Sequence, residues 1–429
     1  MSEQQQPIDM AEYRHRARAW LEANLARRAG PARRAQLTGH GDMTGEKLAE
    51  QRALQRKLYE AGYAGISWPA EYGGQGLPAS YERAFDEEAR EFVLPDFGIA
   101  GGTTFGVCAR TMLVHGSPEF LKRHIPGIIS GERLFVQFFS DPEAGSDLAG
   151  VRTRADRDGD GWVLNGSKIW TSGAYYADYG MCLARTDWDV PKHRGLTWFA
   201  VPIRADGVTV HRIRQINGDA EFCQEFFDDV RLTEDDVIGT VDDGWTVTQT
   251  MLLYERGSQA SAAPAESGTG ADARVLAPDL VALAAQVGRL ADPLVQQSVV
   301  RTHIDDLARR HLDRRIGRMM GVDPMRASSF ASYSKLASGT YDPIRANAAL
   351  DIAGADATTW LEPGEGSASQ VALSLLNSRF LSIAGGTNEV QRNTIGERVL
   401  GLPREPSFDS RRPFREVIRA AKNWSGKVG

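Results

Sequence analysis

Apolar residues recur at helical spacing through the first 130 positions of the chain. Segments rich in Ala, Leu, Arg and Glu alternate with clusters of Gly and Pro, and apolar side chains three or four residues apart share one face of a helix. The pattern predicts helices over residues 11–28, 46–61, 81–92 and 119–129. The glycine-rich stretch over residues 68–76 follows no predicted strand, so we interpret it as a turn-rich connector and not as a dinucleotide loop.

A different pattern covers residues 133–238. Short β-prone runs are separated there by turn signals such as Asn165-Gly166 and Ala205-Asp-Gly207, which are typical of hairpins. We predict a small β-barrel or sandwich. Helical spacing resumes at Gly244 and continues to Leu402, interrupted near residues 258–278 by an insert of Gly, Ala, Ser and Pro that is typical of a mobile linker.

These patterns predict an α+β multidomain protein. An N-terminal α-helical domain is expected in residues 1–132, a middle β domain in residues 133–240, and a C-terminal α-helical bundle in residues 241–429. A chain of 429 residues is too long for a single core. Hydrophobic residues make up 42% of the chain and charged residues 25%, proportions that indicate a globular protein and not a disordered one.

Charge and hydropathy exclude several classes of protein. The net charge of −6 argues against a nucleic-acid surface, which needs a basic excess. The Arg-rich residues 309–318 fit an amphipathic helix that faces solvent or another subunit. No run of about 18 apolar residues predicts a membrane span, and the first residues do not have the pattern of a secretory signal. We therefore expect a cytoplasmic protein without membrane insertion.

The cysteines and histidines predict no metal site. Cys108, Cys182 and Cys223 are odd in number, far apart and without CxxC spacing, so neither a disulfide framework nor a zinc site is indicated. The eight histidines form no HxxxH pair. A reducing compartment fits this usage.

Two segments in the β region carry the clearest chemistry. The first is Gln137-Phe-Phe-Ser-Asp-Pro-Glu-Ala-Gly-Ser-Asp-Leu-Ala-Gly150, an apolar strand followed by a turn of small residues. Exposed N–H groups in such a turn suit anionic oxygens. The second is Asn165-Gly-Ser-Lys-Ile-Trp-Thr-Ser-Gly-Ala174, which places a large aromatic surface beside two hydroxyl groups. The two segments together indicate a flavin site.

With a third block, Ala384-Gly-Gly-Thr-Asn-Glu-Val-Gln-Arg392, these segments resemble three motifs of the acyl-CoA dehydrogenase family, in the family's order and across nearly the whole chain. The resemblance implies that family's α, β, α architecture with a C-terminal four-helix bundle. It also implies FAD-dependent introduction of an α,β double bond into an acyl-CoA thioester, in fatty acid or steroid β-oxidation. Electrons would pass to an electron-transfer flavoprotein.

The resemblance assigns roles to single residues. Those implied to bind the flavin are Phe139, Ser140, Gly145, Ser146, Trp170 and Ser172, with Thr387 and Glu389 at its adenosine half. Other roles remain open for some of these positions. An isolated Trp is most often a core residue, Ser146 can cap a turn, and Arg392 can hold a helix bundle through an ion pair.

Dehydrogenation of a thioester needs a carboxylate that removes the weakly acidic α-proton. Many members of the family place a Glu directly before the Gly-Thr of the C-terminal motif, where this chain has Gly385. Other branches supply the Glu from the helix after the β domain, just before an Arg. This chain reads Leu253-Tyr-Glu-Arg-Gly257 there, so Glu255 is the predicted base. The N–H of Gly385 would still polarise the thioester carbonyl, and the missing side chain leaves room for a bulky or branched acyl group.

Two segments depart from the family pattern. In symmetric homotetramers of the family the neighbouring subunit contributes Arg-x-x-Phe-Gly and Gln-x-x-Gly-Gly segments to the flavin diphosphate. This chain has Gln286-Val-Gly-Arg-Leu-Ala-Asp-Pro293 and Asp351-Ile-Ala-Gly-Ala355 instead. An acidic Asp and an added Cβ both oppose a diphosphate.

Two assemblies are open. In the first, the chain forms a homo-oligomer in which Arg289 and other groups compensate for the two altered segments. In the second, a homologous subunit completes the flavin site in a heterotetramer. The second arrangement resembles the paired dehydrogenases of bacterial steroid side-chain degradation. Two further functions are alternatives to the dehydrogenase: a flavin oxidase or monooxygenase on the same fold, and a structural subunit of a heteromeric acyl-CoA dehydrogenase. Intact Glu255 and Trp170 speak against the structural subunit, whereas Asp351 and Ala355 speak for it.

Overall fold

A computed structural model describes residues 8–28, 42–261, 277–322, 324–358, 367–404, 406–407 and 409–422. Most of the insert predicted near residues 258–278 lies outside this part of the chain. Two compact units are present. The first contains Met1–Arg214, Ala220–Met251 and Phe408–Gly429, and the second contains Gln215–Asp219 and Leu252–Ser407.

Helices open the first unit. They are α1 (Met10–Asn24), α2 (Gly45–Glu60), α3 (Ala79–Ala89), α4 (Gly98–Gly101), α5 (Ala109–His115) and α6 (Pro118–Ile129), with a π-helix at Gly102–Cys108 between α4 and α5. The Asp9 carboxylate accepts hydrogen bonds from the N–H groups of Ala11 and Glu12 and so caps α1. Tyr13, Ala17 and Leu21 recur every four residues and form its buried face.

The predicted helical segments do not include residues 98–115, which contain several glycines. The structure shows why a helix forms: Thr104 is buried and its hydroxyl donates to the carbonyl of Phe135 at 2.9 Å. Tertiary packing therefore overrides the low helix propensity of glycine at this site.

The predicted β region forms one eight-stranded sheet. Its strands are β1 (Phe135–Phe138), β2 (Arg154–Asp158), β3 (Gly161–Ser172), β4 (Tyr179–Arg185), β5 (Leu196–Pro202), β6 (Val208–Arg212), β7 (Phe222–Thr233) and β8 (Val237–Ile238). The order is β6-β7-β3-β2-β4-β5-β8, and β1 pairs in parallel with β4. Phe138, Leu164, Phe199 and Val230 are among the fully buried side chains of its core, and alternation along each strand directs them inward.

A helix in the C-terminal part of the chain packs on this sheet unit. This helix, Phe414–Lys422, is numbered α13 after the helices of the second unit. Phe414 stacks on Trp188 and lies 4.1 Å from the guanidinium of Arg185. The buried Arg185 donates to the carbonyls of Ala149 and Lys192, so the β4–β5 loop is tied to α13.

The second unit is helical. Its helices are the last part of α7 (Gly244–Ser261), then α8 (Pro278–Gln286), α9 (Pro293–Val322), α10 (Pro324–Ala353), α11 (Ser367–Ser378) and α12 (Asn388–Thr394). The Arg-rich residues 309–318 are helical, as predicted, and lie within α9. Arg309 of α9 pairs with Asp342 of α10 at 2.5 Å. In the described part of the chain, no helix is long and apolar enough to cross a membrane.

Candidate active site

Trp170 lies outside the regular hydrogen-bond ladder of β3. Ile169 pairs with Gln224 and Thr171 with Cys223, so Trp170 is an extra residue in β3. Its φ is +69°, in the left-handed region that bulky residues rarely adopt. This bulge turns the indole outward, where Trp170 is 58% exposed. Backbone strain of this kind concentrates at binding sites, and an exposed indole is a surface on which a flat aromatic ligand can stack.

The turn that follows β1 is fixed by a buried ion pair. Lys168 is fully buried, and its ammonium donates to Asp141 at 2.6 Å and to the carbonyl of Phe139 at 2.8 Å. Asp141 also accepts from the N–H of Thr153 at 2.7 Å. The Asp141 carboxylate therefore joins the start of the turn to the chain that leaves it. A buried ion pair is tolerated when its atoms are hydrogen-bonded in this way.

All six residues predicted to bind the flavin in this unit lie on two adjoining segments. The N–H of Ile169 donates to the carbonyl of Ser140 at 2.9 Å and joins the two segments. Ser140 and Ser172 are half-buried, and Gly145 and Ser146 are exposed at the tip of the turn. A Cβ built at Gly145 meets no atom within 4 Å.

Phe139 is the remaining residue predicted to bind the flavin in this unit. Its ring packs edge-on against Trp198, with 5.1 Å between the ring centroids. An exposed indole, two hydroxyl groups and an open turn fit a flat ring and an anionic diphosphate. These residues therefore fit a flavin nucleotide.

Lys192 links the same turn to the C-terminal segment. Its ammonium lies 2.9 Å from Asp147, which follows Ser146 directly, and 2.6 Å from Asp409. Burial lowers the pKa of Lys192, but the hydrogen bonds that its ammonium donates to both carboxylates reverse that effect and raise the pKa overall. Lys192 was missed by the sequence analysis, because residues 147, 192 and 409 are far apart in the chain.

The predicted base belongs to the second unit. Glu255 is half-buried on α7. Its charge is one of two that raise the pKa of Lys335 on α10, against a larger lowering by burial. Lys335 is only 4% exposed. No motif pointed to Lys335, so its burial is a finding of the structure.

Gly385 lies in a loop that is stabilised by residues of the same C-terminal motif. Gly385 and Gly386 have φ values of +67° and +90°, which glycine adopts without strain. The side-chain amide of Gln391 donates to the Gly385 carbonyl at 2.9 Å. Among the described residues, the Gly385 N–H donates no hydrogen bond, so it is available to a ligand's carbonyl.

Thr387 and Glu389 begin α12. The Thr387 hydroxyl accepts from the N–H of Val390 at 3.2 Å and is the N-cap of the helix. Glu389 is exposed in the first turn, 3.5 Å from Arg392. Hydrogen bonds from its own N–H and from Thr387 lower the pKa of the Glu389 carboxyl. Both residues thus have a local structural role in addition to the predicted flavin contact.

Arg289 caps the C-terminal end of α10. Its guanidinium donates to the carbonyls of Asp351 and Ile352 at 2.7 and 3.1 Å and pairs with Asp292 at 2.8 Å. Cations at a helix C-terminus are stabilising. The guanidinium of Arg289 therefore binds residues of the two segments that depart from the family pattern.

Glu225 is another buried ionisable residue that the sequence analysis missed. It is fully buried on β7, where its Oε2 accepts from the hydroxyl of Thr171 at 2.8 Å and its Oε1 has no partner among the described residues. Burial raises the pKa of Glu225 to about 8, against smaller opposite effects of Thr171 and Lys168. The signal in the sequence was a Glu within a strand at an inward position.

No group of three or more potential metal ligands occurs in the described part of the chain.

Family models match the chain in three consecutive blocks. The N-terminal domain of acyl-CoA dehydrogenases matches residues 9–132, the middle domain residues 137–230 and the C-terminal domain residues 242–400. The helical, β and helical order defines the fold of a flavin-dependent oxidoreductase that acts on CH–CH groups. The chain belongs to the acyl-CoA dehydrogenase family, and the predicted fold class and activity are confirmed at that level.

Relatives of this chain include enzymes and complexes with named partners. It is 36% identical over 400 residues to acyl-CoA dehydrogenase IpdE1 of Mycobacterium tuberculosis, which spans 92% of this chain and 99% of the relative. The structure of the Tcur3481-Tcur3483 steroid ACAD is similar, with a TM-score of 0.69 and 29% identity over 94% of this chain and 99% of that one. The ChsE4-ChsE5 complex from Mycobacterium tuberculosis has a TM-score of 0.65 and 26% identity, over 94% of this chain and 100% of that one.

Proposed function

We propose that this acyl-CoA dehydrogenase binds FAD and dehydrogenates a bulky acyl-CoA thioester, such as one derived from a steroid. The observation that carries the FAD assignment is the Trp170 bulge, a strained and exposed aromatic beside half-buried hydroxyl groups. Two observations support a bulky substrate: Gly385 has no side chain, and a similar two-chain structure is named a steroid ACAD. An electron-transfer flavoprotein is the proposed electron acceptor, as the family resemblance implies.

The catalytic roles follow from the chemistry of the two predicted residues. Glu255 removes the α-proton of the thioester as a general base. The Gly385 N–H donates to the thioester carbonyl and stabilises the negative charge that develops on its oxygen, as an oxyanion donor does. FAD, when bound, supplies the acceptor for the β-hydride.

The proposed cofactor residues are those of the two loops and of α12. They are Phe139, Ser140, Gly145, Ser146, Trp170, Ser172, Thr387 and Glu389. We propose residues 1–132, 133–240 and 241–429 as the limits of the three domains; the three family matches run close to the first two of these limits.

We propose further that the chain works in a heterotetramer with a homologous subunit. Arg289 was the cation expected to compensate for the altered diphosphate segments in a homo-oligomer, and its guanidinium is already bound to Asp351, Ile352 and Asp292. Asp351 remains exposed at the end of α10, where its charge opposes a diphosphate. The names of two similar structures describe paired chains.

The visible absorption spectrum of the purified chain tests the cofactor and the assembly together. We expect little flavin when the chain is expressed alone and near-stoichiometric flavin when it is co-expressed with a homologous subunit. Stoichiometric flavin in the chain alone would contradict the heteromeric proposal and support a homo-oligomer. A colourless protein with every homologue tested would contradict FAD binding and favour the structural subunit.

A further inference from the structure

Lys335 is buried on α10 in the second unit, against the segment that leads to Gly385. Its ammonium donates to the carbonyl of Leu381, four residues before Gly385. Burying a lysine is costly unless its charge is hydrogen-bonded or paired. A methionine or leucine would fill this site at lower cost, so the charge itself calls for a functional explanation.

The contact with Leu381 belongs to a set that fastens the Gly385 loop to α10. One turn after Lys335, the Gly339 carbonyl accepts from the Ser382 hydroxyl at 2.8 Å and from the Asn388 amide at 3.2 Å. A Cβ at position 339 would lie 2.8 Å from the Leu381 carbonyl oxygen. Lys335 and Gly339 thus hold both ends of the loop that presents the Gly385 N–H.

The charges of Lys335 and of the predicted base, Glu255, also interact. Burial lowers the pKa of Lys335, while the charges of Glu255 and Asp342 raise it. Because interaction between two charges is mutual, the ammonium favours the ionised form of Glu255. An ionised carboxylate is the form that removes a proton.

Several other charged groups of α10 and of the helices around it are paired with one another. Asp342 pairs with Arg309 of α9, and Asp313 of α9 accepts from the Ser334 hydroxyl. Arg345 of α10 pairs with Asp306 of α9 and with Asp279 of α8. On α12, Glu389 and Arg392 face each other at the surface, and α11 contains no charged residue.

We propose that Lys335 is a positioning residue for the dehydrogenation: it fixes the main chain that leads into Gly385 and supplies positive charge to the Glu255 carboxylate. This inference rests on the proposed function, in which Glu255 is the base and Gly385 the donor to the thioester. Lys335 itself touches neither substrate nor cofactor in this proposal.

The test compares Lys335→Met, Lys335→Gln and Lys335→Arg in the flavin-loaded enzyme, with its homologous subunit where flavin binding requires it. The rate of flavin reduction by acyl-CoA is measured against pH under anaerobic conditions. We expect the acidic limb of the profile to move up by about one pH unit in the Met and Gln variants, with about a tenfold slower reaction at low pH. Lys335→Arg, which keeps the charge, should restore the position of the limb.

Arg345→Met is the matched control, since it removes another cation from α10, one that is 17% exposed and paired. It should lower the melting temperature and leave the pH profile in place. The inference is overturned if Lys335→Gln and Lys335→Met retain the wild-type pH profile, or if the control moves it equally. A uniform loss of rate at every pH would also overturn it, because that result indicates a structural role alone.

A second measurement needs neither substrate nor flavin. A water-soluble carbodiimide with a small amine labels protonated carboxyl groups, and peptide mapping reports the labelling of Glu255 relative to the exposed Glu416. We expect half-labelling of Glu255 at a pH about one unit higher in Lys335→Gln than in the wild type. An unchanged labelling pH refutes the inference, whereas a wild-type enzyme whose flavin no acyl-CoA reduces refutes the proposed function.

Discussion

Glu255→Gln is expected to slow flavin reduction by acyl-CoA by about a thousandfold or more, the upper part of the range for loss of a general base. The amide keeps the size of the side chain and cannot accept the α-proton. Flavin content and melting temperature should stay close to wild type, because Glu255 is half-buried on α7 and not in the core of the unit. Anaerobic stopped-flow spectroscopy of the visible flavin band measures the rate.

The control for this substitution is Glu416→Gln, which makes the same chemical change at an exposed position of α13. It should reduce flavin at the wild-type rate. If Glu255→Gln retained more than about a tenth of the activity, well short of the loss that removal of a general base causes, Glu255 would have to be removed from the mechanism.

Glu225→Gln is expected to stabilise the protein, and more so at alkaline pH. Burial raises the pKa of Glu225 to about 8 in the folded chain, above the value of about 4.3 for an unfolded Glu. The folded state therefore holds a proton that the unfolded state has lost, and wild-type stability falls as the pH rises between these two values. Glutamine removes this loss, because it does not ionise.

The size of the effect follows from the shift. At pH 9 the variant should gain up to about 5 kcal/mol in unfolding free energy, and the gain at pH 9 should exceed that at pH 6 by about 3 kcal/mol. Urea unfolding at the two pH values measures the difference, with Glu234→Gln at an exposed site as the control. A pH-independent effect, or a loss of stability at pH 9, would show that Glu225 is ionised in the fold.

The proposed cofactor residues could be named from sequence because they lie in contiguous motifs. Trp170, Ser140 and Gly145 were predicted in this way and remain predictions, whereas the β region that contains them is confirmed. The bulge that exposes Trp170 could not be predicted, since it depends on the register of β3 against β7. A motif indicates which residues are present, whereas strand pairing decides which way they face.

The burial of charged residues was the main feature of the fold that could not be predicted from the sequence. Lys168, Glu225 and Lys335 are each buried by residues distant in the chain, and a lone charged residue in a sequence is most often a surface residue. The helices of residues 98–115 were missed for a related reason, because glycine propensity is a local property and the packing of Thr104 is not. Arg289 differs from these residues, because the sequence analysis had already named it. Its hydrogen-bond partners were identified only by the structure.

We propose that this chain is the catalytic part of an FAD-dependent acyl-CoA dehydrogenase with a bulky substrate. The most direct test is to incubate the flavin-loaded enzyme anaerobically with a panel of acyl-CoA thioesters, including ones with steroid-derived acyl groups, and to measure product mass and flavin absorbance together. We predict that a bulky thioester loses two hydrogen atoms, in an amount equal to the flavin that is bleached. A panel in which no thioester loses hydrogen while the flavin stays oxidised would contradict the account.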